Sequence, residues 1–135
     1  MKKYKILIAD DDEAHRNLQK ILLTQAAQRI QAELDVVETI NSVETRRVLE
    51  HQKYDLIILD NEFKDELLRG HLPGIAILQL MRKAGLNISS PTVFCTGDPY
   101  DTLKAMVEKH GAVYYSKSSE DADEMERLFA RLLAP

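Results

Sequence analysis

The stretch Tyr54-Asp55-Leu56-Ile57-Ile58-Leu59-Asp60 decides the fold. A short apolar run between polar residues reads as a strand buried on both faces, the habit of a parallel sheet. This one ends on a carboxylate, Asp60. Working outward, four more runs of the same kind occur at residues 4–9, 34–39, 91–96 and 112–116, each rich in Ile, Val, Leu or aromatic side chains. The segments between them carry helical spacing. Leu18, Ile21, Leu22 and Gln25/Ala26 predict a helix over about 13–32, and Asn41 or Ser42 can cap a second one ending near His51. Ile75, Leu78 and Met81 mark a third, closed by Gly85. Asp98-Pro99 reads as N-cap and first helical position, followed by Tyr100, Leu103, Met106 and Val107 on one face and a stop at Gly111. Ser118 with Asp121 has the spacing of a capping box, and Met125, Leu128, Phe129 and Leu132 form the last apolar stripe. The alternation is (βα)5, an α/β chain with a parallel sheet and helices on both faces.

Composition limits what such a chain does. Its 135 residues make one domain, 1–135, able to bury about two thirds of its unfolded surface without a disulfide or a structural metal. An apolar share of 44% argues against disorder. The net charge is −4 and no Lys/Arg stripe stands out, so direct nucleic-acid binding is not expected. The single cysteine, Cys95, lies in the apolar run Val93-Phe94-Cys95, which suits a small buried hydrophobe in a reducing compartment, and a cytoplasmic protein is expected. Met1-Lys2-Lys3 is basic, but the apolar stretch after it is too short for a signal peptide or a membrane span. A starting methionine and a completed fifth helix lead us to expect a whole, stand-alone protein.

In parallel sheets, ligands bind beyond the carboxyl ends of the strands. Strand one ends in Asp10-Asp11-Asp12, strand three in Asp60, strand four in Thr96, and strand five just before Lys117. Clustered carboxylates repel one another, and a proton or cation must relieve them. All-oxygen ligation suits Mg²⁺, which shares itself with a phosphate. A carboxylate can then act as nucleophile and form an aspartyl phosphate, with Lys117 and Thr96 binding the phosphoryl oxygens. Taken singly, the acidic run is better explained as a helix cap, Thr96 as a strand-end hydroxyl and Lys117 as a surface charge. His15, His51, His71 and His110 show no ligand spacing, and neither a zinc signature nor a nucleotide-binding glycine motif occurs.

Together, in order and at this spacing, the pieces resemble the response-regulator receiver domain of two-component signalling over nearly the whole chain. The resemblance rests on Ile6-Leu7-Ile8-Ala9-Asp10-Asp11, on 54–60, on Pro91-Thr92-Val93-Phe94-Cys95-Thr96-Gly97, on Gly111-Ala112-Val113-Tyr114-Tyr115-Ser116-Lys117, and on Gly74 followed by Arg82. It implies a flavodoxin-like, doubly wound sheet of strand order 2-1-3-4-5. It implies that Asp60 accepts a phosphoryl group from a phosphohistidine of a sensor histidine kinase or a histidine phosphotransfer protein. Asp10, Asp11, Asp60 and the backbone carbonyl of Glu62 would hold Mg²⁺, with Mn²⁺ as an alternative. Thr96 and Lys117 would grip the phosphate, Tyr114 would be the switch aromatic, and Glu62 and Asp98 would modulate phosphate lifetime. The output would be a protein-interaction surface over about 99–133, with a phosphorylation-dependent dimer as one form, an unnamed downstream protein as partner and no membrane. Such a protein is a signalling phosphoacceptor rather than an enzyme.

The sequence departs from the family pattern in two places. Gly74 comes fourteen residues after Asp60, so the segment 61–73, Asn61 to Pro73, is about six residues longer than usual and lacks a Met-Pro pair. Ser118 stands where a proline commonly follows the lysine. Two rival classes follow: a pseudo-receiver that binds without phosphorylation, and a phosphohydrolase, since Asp60-Asn61-Glu62 resembles, faintly, the Asp-x-Asp of haloacid-dehalogenase-like phosphatases.

Overall fold

The computed structural model describes residues 2–63, 69–87, 89–97, 101–117 and 121–134. Five strands and five helices alternate: β1 (Lys2–Ala9), α1 (Glu13–Arg29), β2 (Ala32–Thr39), α2 (Ser42–His51), β3 (Leu56–Asp60), α3 (Gly74–Ala84), β4 (Thr92–Thr96), α4 (Asp101–Lys109), β5 (Val113–Ser116) and α5 (Ala122–Leu133). All strand pairs are parallel, in the order β2-β1-β3-β4-β5. This is the (βα)5, flavodoxin-like order 2-1-3-4-5 expected from the sequence.

Strand alternation sorts the core into two layers. Tyr4, Ile6, Ile8, Leu56, Ile58, Val93 and Cys95 face α1 and α5, meeting Leu22, Leu23, Ala26, Met125 and Phe129. Leu7, Ala9, Ile57, Leu59 and Phe94 face the other way, onto Leu49 of α2, Ile77, Leu78 and Met81 of α3, and Val107 of α4. β3 is buried at every position, as its unbroken apolar run requires of a central strand. β2 is an edge strand; half-buried and exposed positions alternate over 32–36, and the strand ends on the buried Thr39.

Some boundaries differ from the sequence reading. α1 stops at Arg29 rather than near Ala32, because Gln31 turns to a positive φ of 54° and Ala32 already pairs with Lys2 in the sheet. Asp12 caps α1, its side chain accepting from the Ala14 N–H, and Asn41 caps α2 through the Glu44 N–H. At α5 the cap is Asp121 itself, which accepts from the Glu124 N–H, rather than Ser118 with Asp121 as its partner. Ser118 and the expected Asp98-Pro99 cap lie outside the described residues. Gly85 closes α3 with a left-handed φ of 73°, as expected. Among the described residues no helix is long and apolar enough to cross a membrane.

Candidate functional site

β1 and β3 are neighbours in the middle of the sheet, so their carboxyl ends bring Asp10 and Asp60 side by side. Both are almost wholly buried, with 1% and 2% of their surface exposed. Asp10 is held on all sides. Its Oδ1 accepts the Asp12 N–H at 2.9 Å. Its Oδ2 meets His15 Nδ1 at 2.6 Å and Lys117 Nζ at 3.1 Å. Its carbonyl accepts from Arg16 Nη1 at 2.9 Å. Lys117 bridges to Asp60 Oδ1, also at 3.1 Å. The Lys117 N–H donates to the Thr96 carbonyl at 2.8 Å, which ties the end of β4, with Thr96 fully buried, to the residue that follows β5. Asp11, half-buried, completes a group of three carboxylates whose oxygens lie within 4.8 Å of one another.

The electrostatics follow from this packing. Burial is the largest influence on Asp60 and, with the negative charge of Asp10, pushes its carboxyl up to about 7 despite Lys117 and the Glu62 backbone amide, which pull it down. Burial also acts upward on Asp10, but hydrogen bonds from His15, the Asp12 amide and Lys117 outweigh it and leave Asp10 below the usual carboxylate range. Burial alone would lower Lys117, yet two carboxylates hold it above its ordinary value. Cys95, buried one position before Thr96, has its thiol pushed up to about 12 by burial and is an inert hydrophobe, as its setting in the sequence implied.

The structure thus unites Asp10, Asp11, Asp60 and Lys117, with Thr96 at the adjoining strand end. The acidic run serves two ends: Asp12 caps the helix while Asp10 and Asp11 face the cluster. Tyr114 lies opposite Phe94 and packs on the α2–α4 layer, and Tyr115 points to the other face, where its hydroxyl donates to the Asp121 carbonyl at 3.0 Å. Glu62 is exposed, and Asp98 lies outside the described residues. His15 has no metal-ligand spacing in the sequence, yet it reaches the site. It is the fifth residue after Asp10 and sits in the first turn of α1, so helix geometry returns its ring to the strand end.

The described ends of the segment 61–73 are both anchored. Phe63 is buried in the α2–α4 layer. Asn61 receives Gly74 N–H at its carbonyl and Ile75 N–H at its side chain. At the far end, Arg46 of α2 donates to the Gly70 carbonyl at 2.9 Å and Leu72 N–H donates to Ser42 Oγ at 3.1 Å. Residues 64–68 lie outside the description.

The model of the response regulator receiver domain family matches residues 6–129. The chain belongs to that family. No curated protein matches the receiver's sequence. Solved structures match its fold along nearly its full length. The receiver domain of the Francisella response regulator 1452 is 22% identical, with a TM-score of 0.71 and 96% of each chain covered. A CheY-like response regulator receiver domain protein from Methanospirillum hungatei JF-1 is 20% identical, with a TM-score of 0.72 over 97% of this chain and 94% of that one. The receiver domain of the sensor histidine kinase PA1611 from Pseudomonas aeruginosa is 17% identical, with a TM-score of 0.73 over 97% and 98%, and carries a magnesium ion coordinated in its active-site cleft.

The residues of this receiver fit a hard divalent cation. Asp60 Oδ2 is buried and has no hydrogen-bond donor among the described residues. An ionised oxygen left so is costly. A cation ligated by Asp10, Asp11 and Asp60 would satisfy it, and an all-carboxylate donor set suits a hard cation such as Mg²⁺ or Mn²⁺.

Proposed function

We propose that this receiver, residues 1–135 acting as one domain, takes a phosphoryl group onto Asp60 from a phosphohistidine of a sensor histidine kinase or histidine phosphotransfer protein in the cytoplasm. An Asp60 carboxylate oxygen attacks phosphorus, the P–N bond breaks, and its electron pair returns to the donor imidazole. The observation that carries this reading is Lys117 Nζ standing 3.1 Å from both Asp10 and Asp60 at the edge of a three-carboxylate cluster. In this reading the ammonium passes from the two carboxylates to a phosphoryl oxygen. Mg²⁺, or Mn²⁺ in its stead, held by Asp10, Asp11, Asp60 and the Glu62 carbonyl, would offset the repulsion between the carboxylates and neutralise charge on the transferring group. The Thr96 hydroxyl binds a second phosphoryl oxygen, Tyr114 fills the space Thr96 leaves, and the surface of α4, β5 and α5 changes partner or dimer preference. Glu62 and Asp98 set the lifetime of the aspartyl phosphate; equal decay rates in wild type, Glu62→Ala and Asp98→Ala would remove that role.

The test is an intact-mass measurement after incubation with Mg²⁺ and a small acyl or amido phosphate. One phosphoryl group per chain is expected on the wild type, none on Asp60→Asn, and none without Mg²⁺. An unlabelled wild type, beside a receiver that is labelled, contradicts the proposal in favour of a binding-only module. Multiple turnover of a phosphate ester contradicts it in favour of a phosphohydrolase.

A further inference from the structure

Asp10 Oδ2 faces two nitrogen donors, and the shorter approach is from His15 at 2.6 Å rather than from Lys117 at 3.1 Å. An ionised carboxylate only accepts, so Nδ1 carries the proton in this contact. His15 is part of a rigid element: Asp12 caps the helix beneath it and the next residue, Arg16, donates to the Asp10 carbonyl. Its side chain is 16% exposed. Its ring nitrogens lie outside the group of ligand atoms within 4.8 Å of one another, which comprises Asp10, Asp11 and Asp60 alone among the described residues. An effect of His15 on a bound cation would therefore pass through Asp10 rather than through direct ligation.

The two donors differ in what happens to them. Lys117 is shared with Asp60 and, on the function proposed above, moves to the phosphoryl group. Among the described residues His15 makes no contact with Asp60, and its side-chain partner at the site is Asp10. We propose that His15 is a positioning residue of the cation site, its Nδ1–H holding the Asp10 carboxylate in its ligating pose both before and after Lys117 leaves. Partners that orient a metal-ligating side chain in this way typically alter metal affinity by about 10–100-fold.

This inference rests on the receiver reading, and a calorimetric titration with Mg²⁺ alone separates the two. The proteins are wild type, Asp10→Asn, His15→Leu, His15→Ala and His15→Asn, with melting temperatures recorded without metal. Asparagine places its Nδ2 donor where the imidazole has Nδ1; leucine and alanine place none. Wild type is expected to bind one Mg²⁺ and Asp10→Asn to lose it. His15→Leu and His15→Ala should bind about tenfold or more weakly, and His15→Asn should recover to within a few-fold of wild type, with all three His15 variants folded in the absence of metal. Unchanged affinity in His15→Leu and His15→Ala overturns the inference and leaves the receiver reading standing. So does an equal loss in His15→Asn, which would make ring shape rather than the donor responsible. A wild type that binds no Mg²⁺ overturns the receiver reading and the inference with it.

Discussion

A Cβ on Gly74 would lie 1.9 Å from the Asp60 carbonyl oxygen and 2.8 Å from the Asn61 Cα. Both obstacles are backbone, so neither yields without moving the candidate phosphoacceptor. Gly74→Ala should therefore cost at least the ~1–3 kcal/mol typical of overpacking, read as a lower urea midpoint, and should slow phosphoryl uptake at Asp60; a wild-type midpoint would show that the close approach does not matter. Asp60 itself makes stability depend on pH. Its folded carboxyl titrates near 7 against an ordinary 3.8, so between about pH 4 and pH 7 the folded chain holds a proton the unfolded chain has lost. Without metal, its contribution to stability must fall as pH rises through that window. Asp60→Asn should remove that slope and be more stable than wild type at pH 8, by an amount on the order of a few kcal/mol, measured by denaturant titration across pH. An unchanged slope would mean that Asp60 is not the strained group. At this scale the sequence was readable where a strand end dictates the residue's place: Asp10, Asp60, Thr96 and Lys117 each follow an apolar run. It was not readable for His15, whose importance depends on the angle at which α1 leaves β1.

The elements show the same division. β3 and β4 were legible because a central parallel strand is buried on both faces, which calls for a near-continuous apolar run such as 56–59 and 93–95. The junction of α1 and β2 was not, because β2 is a half-exposed edge whose alternating pattern blurs into the end of an amphipathic helix. The long segment after β3 was visible only as an excess of residues. In the fold its near end is anchored by Phe63, 4% exposed, and its far end by Ser42 and Arg46 of α2. A buried phenylalanine removed from such a place typically costs about 3–5 kcal/mol. Phe63→Ala should approach that loss and change the phosphorylation rate, because Phe63 is three residues from Asp60; a loss below 1 kcal/mol would indicate an anchor that can collapse into the space.

Across the whole molecule, support and chemistry sit at opposite edges of one sheet. At the edge away from the carboxylates, the buried Asn87 accepts from the Tyr54 N–H at 2.9 Å and donates to the carbonyls of Leu49 and Gln52 at 3.1 and 3.0 Å, joining α2, the start of β3 and the turn after α3. Asn87→Ala should leave these groups unpaired and cost at least 1–3 kcal/mol by the usual penalty for one such group, while the remaining folded protein keeps wild-type Mg²⁺ affinity. A large change in that affinity would show that the two edges are coupled. The overall topology was legible because five apolar runs alternating with five helical segments admit few arrangements. The docking of 69–73 onto α2 was not, since contacts such as Leu72 N–H to Ser42 Oγ and Arg46 to the Gly70 carbonyl join groups far apart in the chain. The Asp60 carboxylate is the proposed acceptor of the phosphoryl group. That role is tested most directly by labelling the protein with a small phosphoryl donor and Mg²⁺, reducing with borohydride, and sequencing the peptides by mass. An acyl phosphate at Asp60 is expected to appear as homoserine at position 60, absent when Mg²⁺ is omitted. A phosphoryl group that survives reduction, or homoserine at any other aspartate, would contradict the account.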